Sequence, residues 1–434
     1  MGKLKGYMVK KAITPSAEML EEYAKRGTSD FVRAYEDTYV TTMLLDNEDT
    51  KFVLSTIEMG SFPGQKRLAE RIEDTYGVPR GNIWFAATHN HQTLMAYEGG
   101  EGPSDKNDDS MNVDYIDFVH GIVMDSLKEA SDKLQPIRLG YGQGESWINV
   151  SRECPSFAGT LQNANFAGPS DKTLSLLKLT DEKGNPKGIF VNYAMHNNVL
   201  FGYRMNGEFK ESGGDLSGRI CAFVEQGLPG DCPVGWGIAA AGDQNPVHMG
   251  FNFICEHDGA GGYKMNKFDL ELATARRLID KMASEQGQDI LRIQETVTEG
   301  MEEAQIRSAE IGVDVKGRQS YRSLGLRGLK YGEAVEKKES TPVHFNCRLT
   351  TIGDIAFVGI NCEAVSRLGR LIKERLPWKK VIFIEMAYGH VGYVPDSETE
   401  KFNGFSTMAT MVYDTEEMER KVLGAFDELV KKLV

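Results

Sequence analysis

Short apolar segments with strand character alternate along the chain with amphipathic segments of helical period. Residues 50–59 (TKFVLSTIEM) predict a strand, and residues 63–77 (PGQKRLAERIEDTYG) predict a helix with its apolar side chains on one face. Residues 82–89 are nearly all apolar, which predicts a strand that is buried on both faces. This alternation predicts an α/β (α+β) fold with mixed β-sheets flanked by helices.

Two pairs of apolar segments are close enough in the chain to form hairpins. They occupy residues 174–195 and 344–361, and the second turns near Gly353 and Asp354. Helical period predicts further helices at 115–134, 213–230, 269–287, 363–376 and 416–434, and apolar runs predict strands at 234–243 and 380–388. No repeat or low-complexity linker divides the sequence, so we expect a single large domain over residues 1–434.

Composition limits the classes of protein to which the chain can belong. The formal net charge of the 434 residues is −13, which argues against nucleic acid as a partner, because phosphate contacts need clustered Lys and Arg. No apolar run is long enough to predict a transmembrane segment, and the N-terminus has no apolar core of a secretion signal. Six dispersed cysteines without a CxxC pair favour reduced thiols and a cytoplasmic location. No feature of the sequence specifies an oligomeric state.

Two long polar segments predict loops. Residues 98–112 follow the sequence ATHNHQ directly, and we expect them to cover a neighbouring site as a lid. Residues 315–340 form the second segment, which is polar and locally basic. Loops of this length are usually functional or mobile.

Two of the eight histidines of the chain, His89 and His91, stand at the end of the apolar segment 82–89. In an extended strand, residues i and i+2 point to the same face, so one imidazole could bind a metal while the other faces a substrate. A pair of hydrogen-bonded histidines is the plainer interpretation. By itself this spacing does not identify a metal site.

Other strand ends also carry side chains that bind metals or transfer protons. Taken one at a time, each of these side chains could have a purely structural role. His196 would be a buried, hydrogen-bonded histidine, Asp243 an Asx-turn residue, Glu363 an acid in the first turn of a helix, and Tyr393 an aromatic residue beside a turn. Together, however, two imidazoles, a carboxylate and a phenolate oxygen would give zinc an N₂O₂ set of ligands with a position left open.

Motifs between about residue 50 and about residue 407, six of them in one order, resemble those of the neutral/alkaline ceramidase family, zinc amidases that cut the amide of N-acyl sphingosine. The family's THTHS-type motif corresponds to ATHNHQ, its second histidine strand to NYAMHNNVL, and its SDHKG helix start to GGDLSGRICAFVE. The family's GDVSPN corresponds to GDQNPV, its PGE to NCEAVSRLGRLIKE, its tyrosine before VTT to GYVPDSETEKFNGFST, and its asparagine-arginine motif to WINVSR. Compared with the family, we expect this chain to lack the C-terminal immunoglobulin-like domain.

The resemblance implies which side chains would do what. It implies zinc as the cofactor, bound by His89, His196, Glu363 and Tyr393. His91 would lie beside the metal, near the bond that is cut. Arg152 would point into the site as a contact for substrate or an anion, and Asp243 would support the loop near the metal.

Asn245 stands where the family has a serine that is important for catalysis, so a hydroxyl nucleophile is impossible at this position. Zinc hydrolysis needs no such group, because the ion lowers the pKa of a bound water to about 7. His91 could then accept or donate the proton, and the amide of Asn245 could donate to the oxyanion. His390 stands three residues before Tyr393. The sequence allows either a structural role for it or a role near the site.

The sequence therefore predicts a zinc-dependent hydrolase that cuts an amide or ester bond in a small-molecule or lipid-like substrate. A metallohydrolase of phosphoesters is the alternative within enzymes, and it would need several bridging Asp or Asn ligands for two metals. A catalytically silent ligand-binding protein of the same fold is the alternative outside enzymes. Replacement of the family's serine by Asn245 favours that alternative, and retention of the four implied ligands argues against it.

Overall fold

The fold was obtained as a computed structural model, which describes residues 2–99, 110–157, 159–201, 210–259, 263–326 and 329–434. Most of the segment predicted to be a lid, residues 100–109, lies outside the described residues. The α-helices of the described part of the chain are α1 (Ala17–Arg26), α2 (Gln65–Tyr76), α3 (Val113–Asp132), α4 (Asp215–Gly227), α5 (Leu272–Thr296), α6 (Ser366–Glu374), α7 (Phe405–Ala409) and α8 (Thr415–Leu433). Short 3₁₀ turns occupy Arg80–Asn82 and Thr399–Phe402.

The strands of the described residues lie before and between these helices along the chain. In chain order they are β1 (Gly2–Lys3), β2 (Lys5–Ala12), β3 (Phe31–Ala34), β4 (Tyr39–Asp46), β5 (Lys51–Ile57), β6 (Ile83–Ala87), β7 (Gln135–Pro136), β8 (Arg138–Glu145), β9 (Asn149–Ser156), β10 (Gly159–Asn165), β11 (Thr173–Thr180), β12 (Pro186–Tyr193), β13 (Lys210–Ser212), β14 (Val234–Ile238), β15 (Gln244–Pro246), β16 (Phe251–His257), β17 (Tyr263–Asp269), β18 (Glu303–Ala304), β19 (Ile306–Arg318), β20 (Glu339–Ile352), β21 (Ile355–Ile360), β22 (Glu363–Ala364), β23 (Lys380–Glu385) and β24 (Tyr393–Val394).

Three larger sheets form the centre of the fold. Their strand orders are β6-β5-β4-β2-β7, β14-β12-β11-β8 and β19-β20-β21-β23. Each mixes antiparallel pairs with one parallel pair at an edge, namely β5 with β6, β12 with β14, and β21 with β23. The predicted α/β (α+β) class with mixed sheets is confirmed.

The edge strand β14 contacts both other edge strands, β6 and β23, where the three sheets meet. Hydrogen bonds join the sheets across this junction: the Thr56 hydroxyl donates to the Trp236 carbonyl at 2.5 Å, and the Asn192 side chain donates to the Phe383 carbonyl at 2.8 Å. All five residues of β6 are buried, as the apolar run predicts. The chain segments that leave these strands at their carboxyl ends are therefore brought to one place.

Most elements agree with the periodicity of the sequence. The hairpin predicted at 174–195 consists of β11 and β12, and the hairpin predicted at 344–361 turns between Ile352 and Ile355. Helix α8 begins at an Asp414 cap, whose carboxylate accepts the Glu417 N–H at 2.9 Å. The loop predicted from residue 315 begins later, because β19 continues to Arg318 in its long pairing with β20.

One helix prediction is wrong at its start. Glu363 was expected in the first helical turn, but it belongs to β22, which pairs in parallel with β24, and α6 begins at Ser366. The register places Glu363 directly opposite Tyr393. Among the described residues, no helix combines the length and the apolar character that a bilayer span requires.

Candidate metal centre

Three histidine side chains meet where the carboxyl ends of the strands converge. His89 follows β6, and His196 follows β12. The ring centroids of His89 and His91 are 4.7 Å apart, and those of His89 and His196 are 4.5 Å apart. One nitrogen from each of the three rings lies within 4.8 Å of the others, so the group could hold a metal ion.

The two histidines after β6 converge for a reason other than the predicted one. Strand β6 ends at Ala87, and His89 has a φ of 55°, in the left-handed region. The alternation of an extended strand therefore does not apply to His89 and His91. The loop is instead tied to its neighbours, since the His91 N–H donates to the Asn197 carbonyl at 3.0 Å and the His89 Nδ1 atom lies 2.5 Å from the Gly60 carbonyl.

Glu363 completes the group with a carboxylate. Its Oε2 atom lies 3.2 Å from the Nε2 atom of His89 and 3.3 Å from the Nε2 atom of His196. The Nε2 atom of His196 is also 3.3 Å from the hydroxyl oxygen of Tyr393. The four side chains that the family resemblance implies as ligands, His89, His196, Glu363 and Tyr393, are thus neighbours in space.

Several buried polar atoms of this group have no hydrogen-bond partner among the described residues. They are Nε2 of His89, Nε2 of His91 and Oε2 of Glu363. Buried polar atoms are nearly always bonded, so orphaned atoms that face one another call for an ion or water between them. Two ligands that are each about 2.0–2.1 Å from a tetrahedral zinc lie about 3.4 Å apart. The separations of 3.2–3.3 Å found here fit that spacing.

The electrostatics of the group suit metal ligands, which must be deprotonated. Burial lowers the pKa of His196 to about 3, and Arg152 and His89 act in the same direction. Burial would raise the pKa of Glu363, but the neighbouring His89 and His196 and the hydrogen bond with His390 hold that pKa well below its usual range. Tyr393 is the exception in this group: burial raises its pKa well above 10, with Glu363 adding to the effect and Arg152 opposing it, so the phenol would have to release its proton to bind a metal.

His91 differs from its two neighbours because it reaches the surface. It is partly exposed, and its ring packs edge-on against Phe201, which is 47% exposed. Burial of its ring nitrogens and the nearby His89 and His196 lower the pKa of His91 well below 6.5. A neutral imidazole at this position can accept a proton from a group that enters from the open side.

Arg152 and Asn245 are hydrogen-bonded neighbours, and Arg152 lies beside Tyr393. The guanidinium of Arg152, which is 1% exposed, donates to the Gly242 carbonyl at 2.7 Å and to the Oδ1 atom of Asn245 at 3.3 Å. Its Cζ atom is 5.3 Å from the ring centroid of Tyr393. The same Oδ1 atom of Asn245 also accepts from the side chain of Asn198 at 3.2 Å.

Asp243 points away from the histidines. Its carboxylate accepts the Ser366 N–H at 2.7 Å and the Ser366 hydroxyl at 3.0 Å, so it binds the start of α6. Burial raises the pKa of Asp243 to about 6, against these hydrogen bonds. Its position fits support of the loop after β14 rather than contact with a substrate.

Two further side chains, His390 and Glu385, lie close to Glu363. His390 lies between β23 and β24, and its Nε2 atom is 2.8 Å from the Oε1 atom of Glu363. Glu385 is 1% exposed at the end of β23, and its Oε2 atom accepts the Ala241 N–H at 3.1 Å. Sequence spacing could have indicated His390, which stands three residues before Tyr393. Nothing in the sequence distinguishes Glu385 from other acids.

Comparison with solved structures shows which known fold the chain adopts. The fold is that of ceramidase. The chain superposes on neutral ceramidase from Pseudomonas aeruginosa with a TM-score of 0.73 at 14% identity, over 100% of this chain and 75% of that one. It superposes on a ceramidase complexed with C2 with a TM-score of 0.75, at the same identity and coverage. No protein-family model and no curated protein matches the sequence.

Proposed function

We propose that the chain is a zinc-dependent hydrolase of an amide or ester bond in a small or lipid-like substrate, with His89, His196, Glu363 and Tyr393 as the metal ligands. The observation that supports it most directly concerns the Oε2 atom of Glu363, which has no hydrogen-bond partner among the described residues. It lies 3.2 Å from the Nε2 atom of His89 and 3.3 Å from the Nε2 atom of His196. The ceramidase fold supports a hydrolase. The proposal includes one catalytic domain over residues 1–434 and a cytoplasmic location, to which the six free cysteines are suited.

Zinc at such a site supplies a Lewis acid and lowers the pKa of a bound water to about 7. His91 would take the proton of the attacking water, because its Nε2 atom lies at the site without a hydrogen-bond partner among the described residues. The same proton could then pass to the leaving nitrogen or oxygen. This role needs the ring to be neutral before attack.

Asn245 and Arg152 would stabilise the charge that develops on the substrate oxygen. Because the Oδ1 atom of Asn245 accepts from both Arg152 and Asn198, its amide N–H remains as the donor. The Arg152 guanidinium is buried beside Tyr393, and its Nε atom has no partner among the described residues. Donors held in place before the reaction are worth more than donors that must reorganise.

The alternatives make different demands on the same residues. A two-metal phosphoesterase would need bridging carboxylates, but Asp243 is engaged by Ser366. A silent binding protein would need neither the low pKa of His91 nor a set of metal ligands.

A panel of fluorogenic N-acyl amides, esters and phosphoesters tests the proposal, using the wild type with and without a chelator and the Glu363→Gln variant. We expect amide or ester hydrolysis that disappears on chelation, returns with zinc and is lost in Glu363→Gln. Hydrolysis that is unaffected by both changes would exclude the proposed centre. Phosphoester turnover alone would favour the two-metal alternative, and zinc binding without turnover of any class would favour a binding protein.

A further inference from the structure

The two oxygens of the Glu363 carboxylate have different surroundings. Oε1 lies 2.8 Å from the Nε2 atom of His390, whose side chain is 15% exposed. Oε2 faces His89 and His196 and has no hydrogen-bond partner among the described residues. An ionised carboxylate only accepts hydrogen bonds, so the Nε2 atom of His390 must carry the proton of this bond.

This bond restrains the terminal torsion of the Glu363 side chain. Pairing of β22 with β24 places the Cα atom of Glu363, but the terminal torsion of a glutamate side chain is broad. A hydrogen bond to one oxygen fixes the plane of the carboxylate. It also leaves the other oxygen free to face the imidazoles of His89 and His196.

The loop that carries His390 is itself held firmly. Met386 and Tyr388 have φ angles of 54° and 60°, and a residue other than glycine keeps such a conformation only where its surroundings impose it. Gln65 bonds both sides of the bend, donating to the Met386 carbonyl at 3.1 Å and accepting the Tyr388 N–H at 2.7 Å. On the far side, the Val391 N–H donates to the Asn361 carbonyl at 2.8 Å. His390 therefore stands between two fixed points.

We propose that His390 is a positioning residue, which holds Oε1 of Glu363 so that Oε2 alone is presented to the metal ion. The inference rests on the proposed metal centre. It explains why a strained loop is maintained next to the ligands, since partners of ligating carboxylates orient them and tune the affinity of the site. It also predicts that zinc affinity depends on a side chain that never touches the ion.

Competition with a chromophoric zinc chelator measures the affinity of the wild type, His390→Ala and His390→Gln. We expect His390→Ala to bind zinc about 10–100-fold more weakly, and His390→Gln to stay within a few-fold of the wild type because its amide N–H can still donate. His344→Gln is the matched control. The His344 Nδ1 atom also lies 2.8 Å from a carboxylate, that of Asp314, but this pair is exposed and its loss should leave the affinity unchanged.

Cobalt substitution provides a second readout that is independent of turnover. The visible absorption of bound cobalt reports coordination, and we expect it to change in His390→Ala and not in His344→Gln. If His390→Ala does not fold by circular dichroism, His390→Met takes its place, since it fills similar volume without a donor.

The outcomes separate this inference from the proposed function. Stoichiometric zinc in the wild type, with equal affinity and an equal cobalt spectrum in His390→Ala, would overturn the positioning role and leave the metal centre intact. A glutamine variant as weak as the alanine variant would overturn the donor role of the N–H group. A wild type that binds no zinc would overturn the metal centre and the positioning role together.

Discussion

The Nε2 atom of His196 lies 3.3 Å from the hydroxyl oxygen of Tyr393, although the two residues are 197 positions apart in the chain. The planes of their rings are nearly parallel, at an interplanar angle of 8°. Pairing of β22 with β24 places Tyr393 opposite Glu363, and the same contact brings both side chains to His196. A two-residue ladder thus supplies half of the proposed ligand set.

Tyrosine is an unusual zinc ligand, so the Tyr393→Phe variant tests the least expected of the four proposed ligands. The variant keeps the ring beside Arg152 but removes the hydroxyl oxygen. Loss of a residue that only hydrogen-bonds to a metal ligand typically weakens metal binding roughly 10–100-fold, and we expect loss of a ligand itself to weaken zinc binding at least as much. Chelator competition measures the change. Tyr388→Phe is the control, because its hydroxyl donates to the Ile83 carbonyl rather than to the site. Equal affinity in the two variants would remove Tyr393 from the ligand set.

Asn245→Ala tests the proposed oxyanion donor. We expect kcat to fall about 10²–10³-fold on an amide substrate identified in the hydrolysis panel, since loss of one such donor costs roughly 2.7–4 kcal/mol. Asn245→Ser, which restores a hydroxyl that can donate, should retain more activity than the alanine variant. Turnover that stays at the wild-type level in Asn245→Ala would remove this residue from the mechanism.

Glu58 gives the native state a pH dependence that does not involve the metal. Burial raises its pKa to about 7, with Lys10 opposing the shift. The native state therefore binds more protons than the unfolded chain between about pH 4.5 and 7, and the free energy of unfolding contributed by this group falls as the pH rises through that range.

Glu58→Gln should abolish this slope. We expect the variant to match the wild type near pH 4 and to exceed it in free energy of unfolding by about 3 kcal/mol at pH 8, because one unit of pKa corresponds to about 1.4 kcal/mol. Urea unfolding at several pH values measures the difference. Glu48→Gln, at an exposed acid, should stay within about 0.5 kcal/mol. Parallel pH profiles for wild type and Glu58→Gln would contradict the assignment.

Trp84 tests the junction of the sheets that carries the site. It is fully buried, and its indole N–H donates to the Thr350 hydroxyl at 3.0 Å, between β6 and β20. We expect Trp84→Ala to lower the free energy of unfolding by about 3–5 kcal/mol, measured by urea titration. Trp147 is 68% exposed, so Trp147→Ala should change little. Similar costs for the two substitutions would mean that the junction contributes no special stability.

The periodicity of the sequence is sufficient to predict the larger helices and strands, and with them the strand ends that carry the candidate site residues. The apolar run before His89 is a buried strand, and the strand before His196 forms a hairpin with β11, as expected. The reason is that burial imposes the pattern on each strand separately. Which strand ends meet depends on how the three sheets pack, and the hydrophobic pattern of a single strand contains no information on that packing. The expected set of neighbouring site residues therefore came from the family resemblance.

The details that failed are those set by tertiary contacts. The left-handed conformation of His89 and the bend at Met386 and Tyr388 have no signal in the sequence, because none of these residues is a glycine. An acid that precedes an amphipathic segment predicts a helix start at Glu363, but Glu363 pairs with Tyr393 and belongs to a strand. The link from His390 to Glu363 depends on that same pairing.

The metal content of the purified protein tests the central claim most directly. Elemental analysis of the wild type beside the His196→Ala and Glu363→Gln variants, each checked for folding by circular dichroism, gives the stoichiometry per chain. The account predicts one zinc per wild-type chain and almost none in either variant. A folded wild type without metal after exposure to zinc, or variants that retain a full equivalent, would contradict it.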